Sequence, residues 1–312
     1  MKRFLKVFTN LIAVFMLVFA TFTRVGCGED IKTAKVKIQL YDYAESEFYA
    51  DSEVTLSIDL YGHLAPKTVE AIVKYINEGY YNNALIYQVE VGSKTQIMVG
   101  DLEVDGDSIV VNDDGSVNIV KKAKKPTLPG EFEKGGTKGS DLVNTKGSVG
   151  LWRDWYSTGD YTNSSATDSG SATWFMPTET VSAYNGYFCV FGQMDLSNSA
   201  NSTALNTLAE IFESSTNSTE YVIYYTGAYD ASKPDCGLTY HCVTTERFKE
   251  LESELEELEL SDPEQYELEK IFVADEQQRQ FTSYNKYTIK VANNSKDGKL
   301  GAVIKSSSIS AE

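Results

Sequence analysis

The chain is poor in the residues that carry most metal and covalent chemistry. Its 312 residues include only two histidines and four cysteines, an inventory that argues against a His/Cys zinc enzyme. Cations are also scarce. Lys plus Arg number 28 against 45 Asp plus Glu, a formal net charge of −17. Nucleic acid is bound largely by neutralising phosphates, so none is expected as a partner. A phosphate loop is missing, because Gly135-Gly-Thr-Lys138 lacks the GxxxxGK[ST] frame. Asp105, Asp107, Asp113 and Asp114 do not follow the spacing of a calcium loop. No metal and no cofactor are expected. Prolines are few, at six, and no internal repeat is apparent. What remains is a globular composition, 42% hydrophobic and 12% aromatic. It excludes collagen-like, coiled-coil and fully disordered classes and suits one large domain or two small ones.

The longest apolar run stands at the start. Lys2, Arg3 and Lys6 precede ten uninterrupted apolar residues, Leu11 to Ala20. That is short for a lone membrane span and matches a secretory leader over residues 1–26. The leader ends in Thr-Arg-Val-Gly-Cys27-Gly-Glu-Asp, which resembles a bacterial lipoprotein processing site. The resemblance implies that Cys27 becomes the lipidated first residue, followed by a tether over 27–33. Removing 1–26 takes four basic and no acidic residues, leaving 24 against 45 and a net charge of −21. Such a surface avoids anionic headgroups, so attachment is expected through the lipid alone, on the extracytoplasmic face of the cell membrane.

Val36 to Tyr41 and Val54 to Leu60 alternate apolar and polar and read as a hairpin of half-buried antiparallel strands. Pro66 opens a helix with Val69, Ile72, Val73 and Ile76 on one face, and Gly79 ends it. Leu85 to Val91, Gln96 to Val99, Thr173 to Met176 and Phe188 to Phe191 read as strands. Val104 to Lys125 reads as an insertion whose run Lys121, Lys122, Lys124 and Lys125 is a solvated loop. Residues 131–170 read as a long irregular excursion. Ala204 to Phe212 is an amphipathic helix, and Glu246 to Glu269 is Glu- and Leu-rich, with a break at Asp262-Pro263. Tyr287 to Val291 and Ala302 to Ile309 look like closing strands. The pattern is mainly β: a closed antiparallel barrel with helices over its ends. Cys189 lies in an apolar run and reads as a core residue. Cys236 and Cys242 read either as a disulfide-closed loop or as two reduced cysteines in a hairpin.

Seven blocks then resemble the cyclophilins, peptidyl-prolyl cis-trans isomerases, in family order. They are Leu60-Tyr-Gly-His-Leu-Ala-Pro66, Gly79-Tyr-Tyr-Asn-Asn-Ala-Leu-Ile-Tyr-Gln-Val89, Met98-Val-Gly-Asp101, Leu128-Pro-Gly-Glu-Phe132, Gly147-Ser-Val-Gly-Leu-Trp-Arg153, Ser171-Ala-Thr-Trp-Phe-Met176 and Asn185-Gly-Tyr-Phe-Cys-Val-Phe-Gly192. The resemblance implies an eight-stranded antiparallel barrel capped by two helices over 34–312, with a Glu-rich helical insertion over 213–283. The chemistry it implies is rotation about the bond before proline, whose barrier is ~18–20 kcal/mol uncatalysed. Its substrates would be proline-containing segments of exported polypeptides. A donor to the prolyl nitrogen weakens amide resonance. In the family an arginine supplies it, and Gln88 stands there. The groove positions map to Tyr87, Met98, Trp152, Thr173, Tyr184 and Phe188, with Phe175 as the retained floor of the proline pocket. The aromatics among them form an open trough or pack the barrel end. The loss of polar groups implies weakened catalysis or, alternatively, a non-catalytic peptide-binding or scaffold module.

Overall fold

The computed structural model describes residues 31–91, 94–133, 142–153, 167–214, 217–226, 237, 239–269, 287–292 and 300–310. The leader, Cys27 and Cys236 lie outside them. The described residues belong to one compact unit, Ile31–Glu312.

Strand β1 (Ile31–Asp42) is followed by the short β2 (Glu47–Phe48) and by β3 (Val54–Tyr61). β1 and β3 pair antiparallel with Val36 opposite Leu56, as their alternation requires. Helix α1 (Pro66–Asn77) follows, with proline in its first turn. Its N-cap, Ala65, offers no side-chain acceptor. Glu131 supplies one from far along the chain, its carboxylate accepting from the Lys67 and Thr68 amides at 3.1 and 2.8 Å. Gly79 ends the helix at φ +69°, a conformation that favours glycine.

Next come β4 (Leu85–Val91), β5 (Lys94–Val99), β6 (Leu102–Val104), β7 (Ile119–Lys121), β8 (Ser148–Leu151), β9 (Trp174–Pro177) and β10 (Val190–Gln193). Helix α2 (Ser199–Glu213) precedes β11 (Ser218–Thr226) and β12 (Thr239–Thr244). Helices α3 (Thr245–Ser261) and α4 (Pro263–Glu269) lead to β13 (Tyr287–Ala292) and β14 (Leu300–Ser310).

Eight strands close into a ring in the order β4-β14-β1-β3-β10-β8-β9-β5, with β5 returning to β4. Every pairing in it is antiparallel. Inward side chains such as Val36, Leu56, Ile58, Ile86, Ile97, Trp174 and Phe191 form one core. The same core takes in Val69, Ile72 and Ile76 of α1 and Leu205, Leu208 and Phe212 of α2, so the two helices complete the burial of the barrel interior. The expected closed barrel with two capping helices is therefore what the chain forms.

Two details differ from the sequence reading. β13 does not close the ring. β4 pairs with β14 at Leu85 and Ile86, then with β13 at Tyr87, Gln88 and Val89. The sheet forks there, and β13, β11 and β12 continue outside the barrel. The fork is invisible to alternation, because both branches satisfy the same period. The insertion after Val104, in turn, is more than a solvated loop. β6 and β7 form a hairpin, and its lysines are tied down. Lys122 pairs with Glu103 at 2.6 Å and Lys125 with Glu78 at 2.9 Å. The Lys121 ammonium lies 4.6 Å from the Tyr225 ring centre.

A second core lies on the other side of β4. Tyr87, Val89, Val291, Ile289, Tyr221 and Ile223 share this core with Leu102 of β6 and with Ile109, Val117 and Ile119 of the insertion. The insertion thus covers the outer face of the forked sheet. α3 packs Phe248 and Leu251 against Val222, Tyr224 and Val243 on the opposite face.

Candidate functional site

Side chains directly opposite on paired strands share a face, and alternate residues swap faces. In β4, β5 and β9 the register sets Tyr87 opposite Met98 and Met98 opposite Phe175. These three form one row on the outer face of the barrel. The next row is Gln88, Ile97 and Met176. Ile97 and Met176 belong to the barrel interior. Gln88 therefore points to the side away from Phe175 and is 5% exposed. The pocket position on β9 and the family-arginine position on β4, brought together in the sequence reading, lie on opposite faces of the barrel wall.

The other predicted groove residues do gather around Phe175. The Trp152 amide donates to the Thr173 carbonyl at 2.8 Å, and Leu151 donates to Cys189 at 2.8 Å, which seats this segment between β9 and β10. Trp152 stacks on Phe188 at 5.4 Å with 20° between planes. Phe175 meets Trp152 edge-on at 5.7 Å, Phe188 at 5.1 Å and Tyr184 at 5.9 Å. Tyr184 lies 4.9 Å from Phe188. Phe175 is 0% exposed. Tyr87, Met98, Tyr184 and Phe188 are also buried, while Trp152 and Thr173 are half-buried. The aromatics thus pack against one another, in edge-on and offset geometries that favour ring pairs. Gly150 makes room for the floor: a Cβ there would fall 2.6 Å from Cε1 and Cζ of Phe175.

Polar groups around the cluster are mostly committed. The Tyr87 hydroxyl donates to Asp101 Oδ1 at 2.8 Å. Arg153 is buried, its Nε donating to the Tyr187 carbonyl at 2.7 Å. Its guanidinium lies 4.6 Å from the Phe132 ring centre and 5.4 Å from that of Phe188. This cation holds Tyr187 and Phe188 against β8. Gln96 is not so committed. It is 0% exposed, opposite Val89 and Pro177 on the Phe175 face, and neither amide atom has a hydrogen-bond partner. A buried orphan amide is costly and marks a special position. Sequence reading missed Gln96 and Arg153. The signal for Gln96 was its even spacing from Met98, which places both on one face.

Cys242 is a buried free thiol, and its proposed partner Cys236 lies outside the described residues. Among the described residues no group of three or more His, Cys, Asp or Glu side chains could hold a metal ion.

No curated protein sequence matches the chain. Two solved structures of a cyclophilin type peptidyl-prolyl cis-trans isomerase from Cryptosporidium parvum are similar to it. One was determined in the presence of the dipeptide Ala-Pro. They are 13% and 12% identical, with TM-scores of 0.35 and 0.34, and each alignment covers 56% of this chain and 85% of that one. The model of the family described as "Cyclophilin type peptidyl-prolyl cis-trans isomerase/CLD" matches residues 46–224. That is more than half of the sequence, it spans the strands and aromatics just described, and the chain belongs to the cyclophilin-type peptidyl-prolyl cis-trans isomerase family.

Proposed function

We propose that the chain acts on proline-containing segments of exported polypeptides as a cyclophilin-type isomerase with weakened catalysis. The observation that carries this reading is the row Tyr87, Met98 and Phe175. It keeps the proline-pocket aromatic, and Tyr87 and Met98 beside it carry no charge. Charged hydrogen bonds contribute roughly 1 kcal/mol more than neutral ones, so the rate falls about tenfold or more when an amide replaces the guanidinium. Gln96, whose amide lies on the Phe175 face, is the neutral donor in this reading, in place of Gln88. Attachment through a lipid on Cys27 would keep the domain where exported chains emerge. Metabolic labelling with a radioactive fatty acid, lost in Cys27→Ser, tests that part.

A second reading, a non-catalytic peptide-binding or scaffold module, is favoured by the complete burial of Phe175. A proline-isomerisation assay on a chromogenic Ala-Pro tetrapeptide, run beside calorimetric binding of the same peptide, separates the two. A rate above buffer supports the isomerase. Binding with a rate equal to buffer supports the module, and absence of both overturns the two readings together.

A further inference from the structure

Phe175 is 0% exposed, so no proline ring reaches it in this conformation. What covers it is the chain itself. Gly150 stands opposite Phe175 in the β8–β9 pairing, and a Cβ there would fall 2.6 Å from the ring. The ring therefore lies across β8, with one side against the neighbouring strand. Tyr87 and Met98 continue its row along β4 and β5. Trp152, Tyr184 and Phe188 close over the rest. Tyr184 and Phe188 are 8% and 2% exposed, whereas Trp152 is half-buried. Among the described rings that touch Phe175, Trp152 is thus the outermost.

Hydrogen bonds narrow how the floor could be uncovered. The Leu151 amide donates to the Cys189 carbonyl and the Trp152 amide to the Thr173 carbonyl, both at 2.8 Å. The next residue is anchored by its side chain, Arg153 Nε donating to the Tyr187 carbonyl at 2.7 Å. The backbone at Trp152 is therefore held in place. The described contacts of the indole are ring contacts: edge-on to Phe175 at 84° and stacked on Phe188 at 20°. A side chain held this way changes rotamer wells without moving its backbone.

We propose that Trp152 gates the proline pocket: its indole covers the place on Phe175 that a substrate's proline ring takes, and swings out about its own side-chain torsions to admit it. This rests on the reading of Phe175 as the floor of the proline pocket. It adds a cost of access to the cost of a neutral donor. Each ring pair favours the closed arrangement about two- to tenfold beyond simple burial. Opening gives up two pairs and leaves on the order of one molecule in ten competent, and apparent affinity falls by that same fraction. An incoming proline ring replaces the lost contact with Phe175; a segment without proline does not, and the gate stays shut.

The test uses the full chain in non-ionic detergent and the chromogenic Ala-Pro tetrapeptide. Its isomerisation rate and calorimetric Kd are measured for the unaltered chain, Trp152→Phe and Trp152→Ala. Trp152→Ala should bind about tenfold more tightly and raise kcat/KM about tenfold, chiefly through KM, with Trp152→Phe between. A residue that only packs the barrel end would lower both when truncated. A second measurement stands even if Trp152→Ala does not fold. With 5-fluorotryptophan incorporated, the three tryptophans give three fluorine resonances, and that of Trp152 is the one absent from Trp152→Phe. The Ala-Pro peptide should move it further than the other two, and the same peptide with alanine in place of proline should leave it where it is. The gate is refuted, with the isomerase reading intact, if the unaltered chain binds the Ala-Pro peptide and the Trp152 resonance stays in place. A folded Trp152→Ala that binds no more tightly than the unaltered chain refutes it equally. If no form of the chain binds or turns over the peptide, the isomerase reading falls and the gate falls with it.

Discussion

Restoring the family arginine at Gln88 is the most direct test of the face assignment. Gln88 shares its row with Ile97 and Met176 on one side and Lys290 on the other. A guanidinium at this 5% exposed position would lose hydration and stand opposite the Lys290 ammonium. A buried charge costs several kcal/mol in full, and a directly opposed like charge adds to it. Partial escape toward the Lys290 side, where Glu220 already lies 3.6 Å from the ammonium, reduces the cost to about 2–4 kcal/mol. For a domain this large each kcal/mol moves Tm by about 2–4 °C, so Gln88→Arg should melt roughly 5–15 °C lower. Its isomerase rate should not rise, because the new donor faces away from Phe175. Tyr87→Arg is the companion variant: it sets the guanidinium on the Phe175 face beside Asp101 and should give the higher rate of the two. Thermal melts by circular dichroism and the protease-coupled proline assay read both effects. A Gln88→Arg protein that melts normally and turns over proline peptides tenfold faster, while Tyr87→Arg does not, would refute the argument from strand register.

Further expectations follow from named contacts. Gln96→Met replaces an orphan buried amide by an apolar chain of similar length and should stabilise the protein by about 1–2 kcal/mol in urea unfolding; if Gln96 is the neutral donor, the same variant loses isomerase rate. Glu131→Ala should cost about 2–3 kcal/mol with an unchanged urea m-value, since it leaves the Lys67 and Thr68 amides of α1 without their acceptor. Gly150→Ala drives a methyl into the Phe175 ring and should cost about 1–3 kcal/mol, with a changed near-ultraviolet signal from Trp152. Burial pushes the Cys189 and Cys242 thiols up from 9.0 to about 12. Folding thus favours the neutral thiols: that stability is intact below pH 9 and is lost as pH rises from about 9 through about 12. Tm should fall across that window, and Cys242→Ala should flatten the fall.

The ring and its two helices were legible because their signals are local. Alternation marked β1 and β3, Pro66 and Gly79 bracketed α1, and the spacing of Leu205, Leu208 and Phe212 marked α2. The gathering of Trp152, Tyr184 and Phe188 about Phe175 followed from family order. The side on which Gln88 falls did not, because a motif match gives position along a strand and the pleat decides the face. β11 and β12 also went unread. Tyr221 to Tyr225 is a nearly continuous apolar and aromatic run with both faces covered, by the insertion on one side and α3 on the other. Such a strand shows no alternation. The cap from Glu131 is likewise a long-range partner that no window around Pro66 contains.

The fork at β4 also bears on how the molecule comes apart. Tyr87, Gln88 and Val89 hydrogen-bond to β5 along one edge and to β13 along the other, so the added region is spliced into the barrel through a shared strand. Hydrogen exchange should find the β4 and β13 amides opening in a single cooperative step, with no separately melting appendage. Deleting residues 213–292 would strip one edge of that strand and bare Tyr87 and Val89 to water, which makes the barrel and its outgrowth one inheritable unit.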